Sequence, residues 1–199
     1  MDIAKTGIDS VDNVLGGGVI DKGIIEFWGD EQAGKTGTAI TIANSFQDVF
    51  YYDLDGTFPL ELKETIANDH EGFNVIHIGT DNQWVDSLSI PYPDNSLLVF
   101  DPISVINPYI VSNYFGRIPK NVTTLMISHS NSLNKSPVES TAAMFCSQRL
   151  QFRYIDKILN KKDKKDVRGF RTAIKTLKNT VVPPRTEGVM EVYFGIGAK

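Results

Sequence analysis

The sequence predicts an α/β fold whose mostly parallel central sheet is extended by antiparallel C-terminal strands. Up to about residue 129, short apolar runs typical of buried strands alternate with runs of helical spacing, as in a parallel sheet. From residue 149 onward, strand-like runs follow one another directly, which indicates antiparallel pairing. With 199 residues, we expect a single domain over 1–199.

The elements follow from local patterns, taken in chain order. Residues 9–15 predict a short helix capped by Asp9 or Ser10 and ended by the glycines at 16–18. Residues 107–115 predict a poor helix at best, and residues 130–143 a loop. Two further helices are predicted at 36–46 and 59–68 and a short one at 81–88, and the predicted strands cover 24–28, 49–53, 73–78, 96–101, 122–129, 149–155, 170–178 and 189–194.

Composition narrows the class of protein. Hydrophobic residues make up 41% and charged residues 22%, as in globular rather than disordered chains. The chain has no apolar run near 18 residues and no signal-peptide core, so we expect no membrane association. The single cysteine, Cys146, excludes an internal disulfide framework and favours a reducing compartment, so we expect a cytoplasmic protein.

Charge is distributed unevenly along the chain. The net charge of −4 argues against a nucleic-acid partner. Residues 149–178, however, hold eleven Lys and Arg against three Asp, a net of +8, whereas residues 1–148 carry −12. This asymmetry predicts a basic face on an acidic body. For the run at 161–165, a solvated lysine loop is an equal alternative.

The phosphate loop (residues 29–36) is the strongest chemical signal. It lies between a predicted strand and a predicted helix and matches G-x-x-x-x-G-K-[ST] at each fixed position. Its residues are Gly29, Asp30, Glu31, Gln32, Ala33, Gly34, Lys35 and Thr36, followed by Gly37. Glycines permit close backbone approach, and the helix N-terminus attracts an anion. Lys35 and Thr36 supply a phosphate-binding charge and a hydroxyl ligand for Mg²⁺. The alternative is a chance match in a surface loop.

Carboxylates follow two of the predicted strands. Asp101 ends an apolar strand, the pattern of a Walker B motif, although a strand that merely ends in Asp is common. Asp53 and Asp55 come at the end of the 49–53 strand, where open parallel sheets bind ligands. Only one of this second pair needs to face a nucleotide, and either one is also compatible with a solvated turn.

These motifs together resemble the RecA-type recombinase core over nearly the whole chain. Residues 6–18 and the phosphate loop are similar to its opening, and residues 177–197, with Pro183-Pro184 and a Gly-x-Gly, to its end. The stretch 127–130 is similar to the strand end before the second DNA-binding loop, with a His as in the phage UvsX type. A cytoplasm of bacterial or phage-infected cells is then expected.

The resemblance implies roles for individual residues. Lys35 and Thr36 would bind ATP and Mg²⁺, Asp101 would support the metal, and His129 would sense the γ-phosphate. Asp55 falls where the family has a catalytic Glu, and it is one methylene shorter. Lys178 falls where a lysine reaches a neighbouring subunit's ATP, which implies a homo-oligomer, a filament or a ring. We expect the family's N-terminal oligomerisation segment and C-terminal domain to be absent.

The resulting hypothesis is an ATP-dependent DNA recombinase or strand-annealing protein that binds single-stranded DNA. One alternative is a KaiC-like or loader-like regulatory ATPase acting on a protein, and another is a nucleotide-binding scaffold with little turnover. Arg149 and Arg153 are equally explained as charges that protect a sheet edge. The candidate DNA contacts are Ser130, Asn131, Lys135, Arg149, Arg153, Lys161 and Lys162.

Overall fold

The computed structural model of the chain describes residues 2–67, 69–129, 143–160, 165–183 and 186–199. The strands in it are β1 (Ile3–Ala4), β2 (Val19–Ile20), β3 (Ile24–Gly29), β4 (Val49–Asp53), β5 (Phe73–His77), β6 (Leu97–Asp101), β7 (Thr123–His129), β8 (Gln148–Leu159), β9 (Val167–Asn179), β10 (Glu187–Tyr193) and β11 (Gly197–Ala198). The α-helices are α1 (Asp9–Leu15), α2 (Lys35–Ala43), α3 (Leu60–Ile66), α4 (Asp81–Ser87) and α5 (Pro108–Tyr114), and short 3-10 helices cover Ile103–Val105 and Phe115–Arg117.

Within the described residues, nine strands form one mixed sheet in the order β11-β10-β9-β8-β3-β7-β6-β4-β5. The strands from β8 to β5 in that order run parallel to one another. The strands β8, β9, β10 and β11 pair antiparallel. The predicted α/β class, with its antiparallel C-terminal extension, is therefore confirmed, and the architecture is that of a RecA-like core.

Apolar side chains cover both faces of the sheet, because successive strand residues point to opposite sides. On one face, α1 and α2 pack over a core that includes Tyr51 and Val99. On the other face, α4 and α5 pack over a core that includes Tyr52 and Phe100. Helices on both faces of a parallel sheet leave the ends of its strands as the place for a site.

Two local predictions were wrong. Helix α1 begins at Asp9 with Ile8 as its N-cap, so neither Asp9 nor Ser10 is at the capping position, and the Ser10 hydroxyl donates to the carbonyl of Lys199. Residues 108–114 do form a helix, since Pro108 lies in its first turn and the Asn107 side chain accepts the N–H of Tyr109.

The helices of this core are short. The longest in the described part of the chain, α2, has nine residues. Across the described ranges, no helix has both the length and the apolar character that a membrane span requires.

Candidate nucleotide-binding site

The carboxyl ends of the parallel strands bring the predicted site residues to one edge of the sheet. In the strand register, Asp53 at the end of β4 is the partner of Asp101 at the end of β6. Gly29 at the end of β3 is the partner of His129 at the end of β7. We call this side of the sheet the carboxyl edge.

Backbone geometry fixes the start of the phosphate loop. Gly29 has φ 136°, and a Cβ there would lie 2.0 Å from the carbonyl oxygen of Phe152 on β8. The Asp30 N–H donates to that same carbonyl at 3.1 Å, so the loop begins pressed against the neighbouring strand. Gly34 has φ 86° and is the N-cap of α2, and Lys35 is the first residue of that helix. Only glycine fits the first position, which explains the motif's opening residue.

The Lys35 side chain is folded back into the loop. Its Nζ donates to the carbonyl oxygens of Gly29 at 2.9 Å and Asp30 at 2.5 Å, and the residue is only 3% exposed. Burial lowers the pKa of Lys35 to about 8, against the opposing effect of the Asp101 carboxylate. The ammonium therefore sits where phosphate oxygens can replace two backbone carbonyls as acceptors.

Thr36 is linked directly to Asp101. Its Oγ1 donates to Asp101 Oδ2 at 2.7 Å, and the Tyr51 hydroxyl donates to the same oxygen at 2.5 Å. Burial raises the pKa of Asp101, and the hydrogen bonds from Tyr51 and Thr36 oppose that rise. A hydroxyl and a carboxylate beside a phosphate loop are oxygen ligands of the kind Mg²⁺ prefers, so these residues fit the expected metal.

The two acidic candidates after β4 differ in their surroundings. Asp53 is 8% exposed, and its Oδ1 accepts the N–H groups of Gly56 at 3.0 Å and Thr57 at 3.1 Å. Asp55 is exposed, and its Oδ1 accepts the N–H of Thr57 at 3.0 Å and its hydroxyl at 2.5 Å. Asp53 therefore shapes the turn, whereas Asp55 stands at the solvent side of the edge and contributes to the field at Asp101 and His129.

His129 lies at the end of β7, half-buried beside the loop. Burial lowers its pKa, and the positive charge of Lys35 lowers it further. A neutral imidazole next to a cationic lysine is the form expected at neutral pH. The position is consistent with the predicted sensor, which stays a prediction.

An open cleft of about 380 Å³ begins at the phosphate loop and runs over the antiparallel strands. Its polar end includes Lys35, Thr36 and His129. Its apolar end was missed by sequence reasoning, since its residues come from β8, β9 and the segment after β10. The apolar and aromatic lining residues are Tyr154, Val167, Phe170 and Phe194. Phe170 lies 6.1 Å from both other rings, measured between centroids, so the three aromatics form one wall.

Arg149 does not have the surroundings of a DNA contact. Its Nε pairs with Glu26, whose side chain is fully buried, and the Arg149 side chain is only 11% exposed. Its guanidinium also lies 5.0 Å from the ring centroid of Trp28. The structure therefore uses Arg149 inside the protein, to balance a carboxylate on β3. Arg153, four residues along β8, is exposed.

We call β8 and β9 the basic hairpin, and much of its charge is balanced locally. Arg171 contacts Asp156 at 3.3 Å and Glu191 at 3.1 Å, and Lys175 pairs with Glu187. The hairpin is thus less basic than its sequence suggests.

Lys178, the predicted interface residue, donates through Nζ to the carbonyls of Ala143 at 3.2 Å and Met144 at 3.0 Å. Its ammonium therefore lies against the last residue of the predicted DNA loop, 130–143, and the residue after it. The remaining candidate DNA contacts lie outside the described residues: Ser130, Asn131, Lys135, Lys161 and Lys162.

Comparison with known proteins agrees with this arrangement. The chain is similar to bacterial RecA over nearly all of its length. It is 24% identical to Protein RecA of Saccharopolyspora erythraea over 234 aligned residues, covering 99% of this chain and 67% of the relative. It is 24% identical to Protein RecA of Clostridium beijerinckii, covering 99% and 64%, and 26% identical to that of Geobacter sulfurreducens, covering 96% and 67%.

The chain spans about two thirds of the length of these RecA relatives. No family model matches it. This distant similarity supports a RecA-like core, and the finer assignments of activity and partner are taken up as proposals below.

Proposed function

We propose that the carboxyl edge binds ATP with Mg²⁺ and hydrolyses it, and that the chain acts on single-stranded DNA as a recombinase or annealing protein. The observation that carries the nucleotide site is the hydrogen bond from Thr36 to Asp101, which joins the phosphate loop to the end of β6, two strands away from β3 in the sheet. The apolar end of the cleft, lined by aromatic rings, has the size and chemistry to take the base.

The side chains divide the chemistry between them. Lys35 exchanges its two backbone carbonyl acceptors for phosphate oxygens and stabilises the charge that spreads over them during transfer. Thr36 and Asp101 would hold Mg²⁺, and the bound ion would supply positive charge to neutralise the phosphates. Asp55 accepts a hydrogen bond from the attacking water and so orients it. To do this, the Asp55 carboxylate gives up the hydrogen bond that it now accepts from the Thr57 hydroxyl. His129, at the end of β7, is the proposed sensor of the γ-phosphate and directly precedes the predicted DNA loop, 130–143, in the chain.

Similarity to bacterial RecA supports DNA as the partner and a homo-oligomer, a filament or a ring, as the working form. We propose that single-stranded DNA binds at the predicted loop, 130–143, and at the exposed Arg153, through the DNA backbone and with little sequence preference. Lys178 is the proposed contact to a neighbouring subunit. The more specific phage UvsX-type assignment depends on His129 alone.

The test is phosphate release from Mg-ATP, with and without single-stranded DNA. We expect hydrolysis that DNA stimulates in the wild type and that Lys35→Ala abolishes. Lys120→Ala is the matched control, because Lys120 is exposed and precedes β7 at the opposite end of the sheet. Phosphate release at the same rate with and without DNA would contradict the DNA-binding proposal but would still support ATP hydrolysis.

A second candidate is a nucleotide-binding scaffold with little turnover. The local balance of charge on the basic hairpin and the Asp55–Thr57 hydrogen bonds favour it. Tight Mg-ATP binding with no phosphate release, whether or not DNA is present, would decide for this candidate.

A further inference from the structure

Tyr51 brings a buried hydroxyl to the carboxyl edge. It lies on β4, which pairs with β6, and the residue is 1% exposed. Its ring centroid lies 4.7 Å from that of Phe58 and 5.9 Å from that of Phe73. The ring is therefore held in place by packing, and its O–H is aimed at Asp101 Oδ2, 2.5 Å away.

Packing alone does not require this hydroxyl. A phenylalanine would fill the same space between Phe58 and Phe73, and burying a hydroxyl is costly without a partner. The neighbouring residue in the chain, Tyr52, is equally buried but points to the other face, where its hydroxyl pairs with that of Tyr92. Tyr51 is the member of this pair whose polar atom reaches the candidate site.

The two hydroxyls that reach Asp101 share one oxygen. Thr36 and Tyr51 both donate to Oδ2, from α2 and β4 respectively. Two donors from separate elements fix the rotation of a carboxylate better than one does. Neither bond engages Oδ1, so that oxygen is the one these bonds leave to other ligands.

We propose that Tyr51 is a positioning residue that holds Asp101 so that Asp101 and Thr36 together receive the Mg²⁺ of a bound nucleotide. This role rests on the proposed nucleotide site. It assigns to Tyr51 a contribution to metal binding that is separate from its contribution to the core.

The test is the equilibrium affinity for a fluorescent ATP analogue, measured once with Mg²⁺ and once with EDTA. The ratio of the two affinities gives the metal's contribution to binding. We expect Tyr51→Phe to reduce this ratio about tenfold, the loss typical of one hydrogen bond to a charged group. Affinity in EDTA should change less than twofold, since the loop itself is untouched.

Tyr52→Phe is the matched control. This variant removes an equally buried hydroxyl from the same strand, so we expect a comparable loss of stability. Its ratio of affinities with Mg²⁺ and with EDTA should equal that of the wild type. A double-mutant cycle adds a second test, because Tyr51→Phe should have no further effect on the ratio when Asp101 is already Asn.

The outcomes separate the two proposals. A wild type that binds the analogue with a clear Mg²⁺ dependence, together with an unchanged ratio in Tyr51→Phe, would overturn the positioning role and leave the nucleotide site standing. A wild type that binds the analogue equally in Mg²⁺ and in EDTA would overturn the metal role of Asp101 and with it the positioning role of Tyr51. A wild type that does not bind the analogue under either condition would overturn both proposals.

Discussion

The phosphate loop and the basic hairpin contrast in how their charges are used. In the loop, the Lys35 ammonium is buried and bonded to two backbone carbonyls that a ligand can replace. In the hairpin, Arg171 and Lys175 contact carboxylates on adjacent strands, and Arg149 is committed to the buried Glu26. The Lys35 ammonium is thus available to an anionic ligand, whereas much of the hairpin's positive charge is paired with carboxylates, most of them on the adjacent strands β3 and β10.

This contrast shows why the same residue type, a lysine, has different roles in the two regions. A lysine in a phosphate loop has its role set by residues next to it in the chain. A lysine on a strand has its role set by the residue across the sheet, which the chain supplies from a distance. The net charge of a sequence segment therefore predicts the charge of the folded surface less well than the spacing of a motif predicts a phosphate loop.

The largest effect on stability is expected from Gly29→Ala, which tests how tightly the phosphate loop is packed against β8. The new Cβ would meet the Phe152 carbonyl at 2.0 Å at a φ of 136°, so we expect a loss of about 3 kcal/mol or more in unfolding free energy. Gly116→Ala is the control, because its Cβ would meet nothing within 4 Å. Urea unfolding measures both, and equal stabilities would contradict the close approach at Gly29.

The second effect concerns the hairpin's buried end. Arg149→Ala leaves the Glu26 carboxylate buried without this partner, so we expect a loss of about 3 kcal/mol in stability. Arg153→Ala, on the same strand but exposed, should change stability by less than about 0.5 kcal/mol. For affinity to single-stranded DNA we expect the opposite order: among folded variants, Arg153→Ala should lose more affinity than Arg149→Ala. A weaker DNA affinity in Arg149→Ala than in Arg153→Ala would break the contrast.

The smallest effect is expected at the Lys175–Glu187 pair on the hairpin surface. The hydrogen bond and charge of Lys175 lower the pKa of Glu187, so any stabilisation is present above the usual glutamate pKa and is lost as the pH falls below it. Because the pair is exposed, Glu187→Gln should leave unfolding at pH 7 nearly unchanged. A large loss of stability at pH 7, absent at pH 3, would show that the pair matters more than its exposure suggests.

Sequence patterns sufficed where the information is local. The phosphate loop, the strand ending in Asp101 and the change from alternating to consecutive strands were all predicted, because each depends on short-range spacing. The end of α1 at Gly16 was also predicted, whereas its start was not, since Ile8 is the N-cap and neither Asp9 nor Ser10 caps the helix.

The rest depends on contacts across the sheet. Tyr51 meets Asp101 only because β4 and β6 are neighbours, although 50 residues separate the two side chains in sequence. The pairing of Glu26 with Arg149 needs the register of β3 against β8. The aromatic wall of the cleft likewise combines Tyr154, Phe170 and Phe194 from three segments. None of these pairings produces a local sequence pattern from which it could have been predicted.

The central claim is that the carboxyl edge is a nucleotide site, and calorimetric titration of Mg-ATP into the wild type and Lys35→Ala tests it most directly. We predict one saturable site in the wild type and a loss of at least about tenfold in affinity in Lys35→Ala, because the loop's charge-assisted hydrogen bonds to phosphate are removed. Lys120→Ala should bind like the wild type. No saturable binding in the wild type, or equal affinity in Lys35→Ala, would contradict the account.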